Sequence, residues 1–155
     1  MTRVKKDAAL QAALKLEQVL TARRPGGERE WCEQVSRSLA DAEQALREHL
    51  YSVAEPDGLR TRVQEIAQEI KPALDRSVNS LQRQLIDLRA RAAALQDKFQ
   101  EALQAVALPP TGRSVPDFGA LQKEGEELVA AVRQTKEGEI KLIQETVNTD
   151  IGAGD

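Results

Sequence analysis

The sequence predicts an all-α protein folded as an antiparallel, up-and-down bundle of four helices, and three observations carry that reading. Ala, Glu, Lys, Arg and Leu make up 78 of the 155 residues, the composition of long helices or coiled coils. Apolar residues recur at spacings of three and four along most of the chain, the period of a helix with one buried face. Three clusters interrupt that period: Pro25-Gly26-Gly27, Pro56-Asp57-Gly58, and Pro109 to Pro116. Gly and Pro at such density mark turns between helices. With two Phe, one Trp and one Tyr, the core must be built from Leu, Val, Ile and Ala. The length suits one helical-bundle domain spanning 1–155.

The first helix is expected at about residues 4–24. Ala9, Ala13, Leu16 and Leu20 form its stripe, widened by Leu10, Leu14 and Val19, and Arg23 and Arg24 suit the negative pole of its dipole. The second, about 28–54, repeats Trp31, Val35, Leu39, Ala42, Leu46, Leu50 and Val53. Glu28, Glu30 and Glu33 fall in its first turns, where acids are favourable.

The third, about 58–107, is the most regular. Val78, Leu81, Leu85, Leu88, Ala92, Leu95, Phe99, Ala102 and Val106 alternate by three and four over about four heptads. Upstream, Leu59, Val63, Ile66 and Ile70 keep a displaced frame, and the slip falls at Lys71-Pro72. Proline removes a backbone donor and clashes with the preceding turn, so a kink or break is expected near Pro72. Ile86, Ala90, Ala93 and Ala94 flank the seam, and a wide apolar face favours a bundle over a two-stranded coil. A continuous helix from 59 to 107 would measure roughly 70–75 Å, longer than its neighbours. Either Pro72 breaks it, or the protein is elongated and its unmatched ends pair with a second copy.

The fourth helix, about 116–149, carries Phe118, Leu121, Gly125, Leu128, Val132, Ile140, Ile143 and Val147. Ser114 and Asp117 suggest a capping arrangement at its start, and Thr135 and Lys136 read as an interruption of the stripe. A long loop, 108–116, precedes it.

Charge excludes several function classes. The net charge is −3 and the pI is near 5.4, which argues against binding nucleic acid by phosphate neutralisation. Charge also alternates along the chain: +4 over 1–24, −5 over 25–57, +2 over 58–108 and −4 over 109–155. Helices packed beside their sequence neighbours would face opposite potentials throughout. No run of about 18–20 apolar residues exists to span a bilayer, and Met1 to Lys15 lacks a signal-peptide core, so a cytoplasmic location is expected. One Cys and one His exclude a disulfide framework, a zinc site and a paired-histidine di-iron site.

The remaining chemistry-bearing residues reach no motif. His49 is the one imidazole. Histidine phosphotransfer domains carry a phosphoryl group on such a residue, but they continue with Leu two positions on, then Lys and Gly, where this chain has Tyr51, Ser52 and Val53. The plainer expectation is a histidine near a helix C-terminus, favourable to the dipole and otherwise inert. Cys32 sits near a helix N-terminus, which lowers a thiol pKa, but Glu30 and Glu33 oppose that. Glu65/Glu69 and Glu124/Glu127 read as solvated faces, and Asp87/Arg91 and Glu137/Lys141 as helical ion pairs. Ser52, Ser77 and Ser80 lie in no nucleophile elbow, and Gly112 and Gly119 lack the spacing of a phosphate loop. Arg3, Lys5, Lys6 and Lys15 on the first helix give a weak membrane-surface pattern, diluted by Asp7 and lacking Trp or Phe.

The expected function is therefore non-catalytic, with no cofactor, metal or small-molecule ligand: a protein–protein interaction or scaffold module that binds a protein partner or itself through the third helix. Trp31, Leu46, Leu81, Leu85, Leu88, Leu95 and Phe99 are the expected architectural residues. The alternatives are a phosphoryl carrier through His49 and membrane-surface binding through the basic first helix.

Overall fold

A computed structural model describes residues 7–54, 71–107 and 116–153. They form four helices: α1 (Ala8–Thr21), α2 (Glu28–Ala54), α3 (Lys71–Ala107) and α4 (Phe118–Ala153). Each packs on the next, and α4 closes the ring against α1. Cross-links fix the directions. Trp31, at the start of α2, bonds the end of α1. Ser36 accepts from Gln100 and Glu43 from Arg89 between α2 and α3. Lys98 meets Glu124 between α3 and α4, and Glu17 meets Arg133 between α1 and α4. Residue numbers rise on one helix as they fall on the next, so every adjacent pair is antiparallel.

The sequence stripes become the core. Ala9, Ala13, Leu16 and Leu20 of α1 meet Trp31, Val35, Leu39 and Leu46 of α2, and all are buried. The α3 seam from Val78 to Ala102 is buried within this one chain. All seven expected architectural residues lie in this core. Three of the four aromatic side chains gather at one end, Trp31 standing edge-on to Phe99 at 5.2 Å and Phe118 at 6.2 Å between ring centroids. The Trp31 indole N–H donates to the Val19 and Leu20 carbonyls at 3.0 and 3.2 Å. Those carbonyls lie in the last turn of α1, where no following turn satisfies them, and the Val19 carbonyl also accepts from the capping Ala22 N–H at 3.2 Å.

Several expectations need correction. α1 is shorter than 4–24: Asp7 caps it, accepting from the Leu10 N–H at 3.1 Å, and Ala22 ends it. Arg23 therefore lies past the helix, bonding Gln122 and resting 5.8 Å above the Trp31 ring. Asp117 itself caps α4 by accepting from the Ala120 N–H, while Ser114 lies outside the described residues. Ile86, Ala90, Ala93 and Ala94 are exposed rather than packed. Alanine needs no burial to favour a helix, because it loses no side-chain entropy there. Pro72 is the second of the described residues of α3. The expected kink would involve 58–70, which lie outside the described residues, as do Glu65/Glu69 and the loop 108–115.

The α1–α4 approach is tight at one point. A Cβ added at Gly125 would come within 2.7 and 2.8 Å of the Leu20 methyls, whereas one at Gly138 would meet nothing within 4 Å. Gly125→Ala and Gly138→Ala share the same gain in helix propensity, so their difference isolates the clash. Gly138→Ala should be the more stable by about 1–3 kcal/mol in urea unfolding. Equal stabilities would mean that Leu20 yields without cost.

Candidate functional site

The apolar stripe of α4 does not continue through Ile140, Ile143 and Val147, as its hydropathy suggests. The buried positions are Leu128, Val129, Val132, Thr135, Lys136, Glu139, Leu142 and Thr146. The polar residues read as an interruption lie inward, and the isoleucines lie outward. Lys136 is the reason: its side chain is 5% exposed, and Glu139, one turn on, is 8% exposed. A buried ammonium must be paired and fully hydrogen-bonded, and three elements supply its partners.

Lys136 Nζ donates to Asp7 Oδ2 at 2.6 Å, to Glu139 Oε2 at 2.6 Å, and to His49 Nε2 at 2.9 Å when that nitrogen carries no proton. His49 Nε2 also lies 2.7 and 2.8 Å from the two Glu139 oxygens, and when protonated it donates there instead. One ring nitrogen thus sits between a carboxylate and an ammonium, and its proton selects the partner. The α1 cap, the last turns of α2 and the middle of α4 are joined by this cluster, with Asp7 capping through Oδ1 while Oδ2 takes Lys136.

The carboxyl groups respond to this setting. Burial pushes the Asp7 carboxyl up, but hydrogen bonds from Lys136 and the Leu10 N–H, with the charges of Lys136 and His49, outweigh it and hold it below its ordinary 3.8. Burial likewise opposes Glu139, and the hydrogen bonds and charges of His49 and Lys136 hold it below its ordinary 4.5. The cluster floors a cleft of about 420 Å³ with Ala8, Ala9, Ala45, Glu48, Ser52, Ile140 and Ile143 on its walls.

Of the residues weighed from sequence for reactive or membrane chemistry, His49, Ser52 and Asp7 are at this cleft among the described residues. His49 is not an inert helix-end residue, and its Nε2 faces inward, so a phosphoryl group placed there would meet the Glu139 carboxylate. Cys32 is fully buried, and burial, aided by the Glu28 charge, pushes its thiol up to about 11. Ser77 donates to the Ala73 carbonyl, and Ser80 accepts from Gln84. Glu124 pairs with Lys98 across helices, while the i, i+4 ion pairs Arg29–Glu33 and Glu43–Arg47 form on α2. Lys136 and Glu139 were invisible as site residues, although an i, i+3 Lys–Glu pair placed where an apolar stripe falters was a usable signal. Among the described residues no three His, Cys, Asp or Glu side chains gather where they could hold a metal ion, and no helix is long and apolar enough to cross a membrane. Compared with protein families, curated proteins and solved structures, the chain has no match.

Both carboxyl groups titrate lower in the folded protein than in the unfolded chain. The stability they contribute is therefore fully present above pH 4.5 and is lost as pH falls through their lowered folded values. Glu139→Gln should cost about 2–4 kcal/mol at pH 7 and flatten the acid limb of the stability–pH curve. Urea unfolding from pH 7 to pH 3 checks this, and an unchanged acid limb would remove Glu139 from the linkage. Cys32 should resist a thiol reagent at pH 8 in the native protein and react promptly in urea. Prompt native reaction would contradict its burial.

Proposed function

We propose that this chain is a non-catalytic helical-bundle module that works by binding another protein. The observation that carries the reading is the outward stripe of α4: Ile140, Ile143 and Val147, at i, i+3 and i+7, are 52%, 37% and 39% exposed. Three branched apolar side chains in one row on a helix otherwise richly supplied with charge form the kind of contiguous patch that marks an interaction surface. The reactive groups support the same reading by being occupied. The His49 ring nitrogen Nε2, Lys136 and Glu139 bond one another, and the Cys32 thiol is buried. A rigid four-helix frame with its chemistry turned inward is suited to presenting a surface.

The test replaces Ile140 and Ile143 together by Glu. Both are solvent-facing, so circular dichroism should be unchanged. The immobilised wild-type chain should retain a protein from an extract of the cells that make it, or the free chain should rise in mass from 17.1 kDa with concentration, and the double variant should lose that property. Equal retention and equal mass would remove this face from the function.

A further inference from the structure

The outward stripe is a continuation of the groove that α1 fills. Along α4, Gln122 meets Arg23, Gly125 meets Leu20, Arg133 meets Glu17 and Lys136 meets Asp7. The next positions at the same spacing are Ile140, Ile143 and Val147. Among the described residues α1 begins at Ala8, beside Lys136, and the apolar lane runs on past it. Ile140 and Ile143 share the cleft wall with Ala8 and Ala9, so groove and stripe are one surface.

The charges bordering this lane are one-sided. Asp7 and Glu48 stand on its α1 and α2 walls, and Glu139 on its floor. Exposed Glu137 flanks the stripe by helical spacing. Against these four carboxylates the lane holds, among the described residues, one ammonium, Lys136, which is buried and already bound by Asp7 and Glu139, and the His49 imidazole. Lys141 lies instead in the α3–α4 groove beside Ser77, Ser80 and Glu145. Among the described residues α3 contributes no side chain to the cleft. Farther up the lane, α1 carries one Lys and one Glu, Lys15 and Glu17, and packs between α2 and α4, each of which has three more acids than bases.

We propose that the lane beyond α1 receives a basic amphipathic helix from a partner protein, its apolar face on Ile140, Ile143 and Val147 and its Lys or Arg residues beside Glu48, Glu137 and Asp7. This deepens the reading of the chain as an interaction module and rests on it. Helix-in-groove recognition places branched anchors at i, i+3 and i+7. Unlike charges across the rim fix orientation and exclude acidic competitors.

The test uses the full chain and three fluorescently labelled synthetic helices with the same Leu stripe, each about 18 residues long, flanked by Lys, Gln or Glu. Fluorescence anisotropy should show the Lys peptide binding with a Kd on the order of 10 µM at low salt, the Gln peptide about tenfold weaker and the Glu peptide about a hundredfold weaker. Binding of the Lys peptide should fall about tenfold as salt is raised to screen the rim. Ile143→Ser, at a solvent-facing position, should weaken it at least about tenfold, and Glu48→Lys should narrow the gap between the Lys and Glu peptides. Equal binding of all three peptides overturns the basic partner while leaving an apolar docking face intact. No binding of any peptide overturns the lane as a helix site. A chain that doubles its mass alone and reverts on Ile143→Ser overturns it in favour of a second copy.

Discussion

The arrangement of this bundle turns on one buried ammonium. Lys136 is placed by helical spacing on the inward face of α4, and a charge taken out of water is tolerable only with partners at hydrogen-bond distance. Those partners come from three helices: the residue that caps α1, the one histidine on α2 and the next turn of α4. α1 has 14 residues, near the length at which an isolated helix is marginal in water. It is held at its start by Asp7 on Lys136 and at its end by the Trp31 indole N–H. Register between α1 and α4 follows, because Gly125 must face Leu20 when Asp7 faces Lys136.

Much of the fold was legible in the sequence because most of its core obeys one rule, apolar residues at spacings of three and four. Among the described residues the stripes of α1, α2 and α3 are buried for most of their length, with Leu14 exposed and Leu50 and Val106 half-buried at their margins. The rule fails on α4, and it fails at the candidate site. Hydropathy assigns Ile140, Ile143 and Val147 to the core and treats Thr135 and Lys136 as an interruption. The structure does the reverse, because a mutually satisfied set of polar groups can occupy a core position that a lone one cannot. Periodicity of apolar residues carries no information about such a set, whose members lie 42, 87 and 90 residues apart or, for Lys136 and Glu139, on one turn. Ile86 and its neighbouring alanines mislead in a simpler way: they are helix formers on the outside, and composition alone does not tell a propensity choice from a packing choice.

The alternation of charge along the chain acquires a spatial meaning in the ring. Basic and acidic segments alternate along the chain, and in the ring α2 and α4 carry an excess of acid, α3 an excess of base and α1 one Lys against one Glu, with Glu17–Arg133, Lys98–Glu124 and Arg89–Glu43 as ion pairs between neighbouring helices. Such exposed pairs each contribute little. Their joint effect is to disfavour exchange of α1 or α3 for an acidic neighbour.

The two ends of α1 are held by forces that respond to different variables. Around Trp31, Phe99 and Phe118 the closure is apolar contact, which weakens on cooling and strengthens in excluded solutes. Around Lys136 it is charge, which a proton can undo and cold does not. A molecule whose helices run alternately up and down is nearly symmetric end to end in topology, yet its solvent decides which end loosens first. Acid frees the start of α1, whereas cooling relaxes the end of α1. The bundle therefore has a direction in thermodynamic terms that its connectivity lacks.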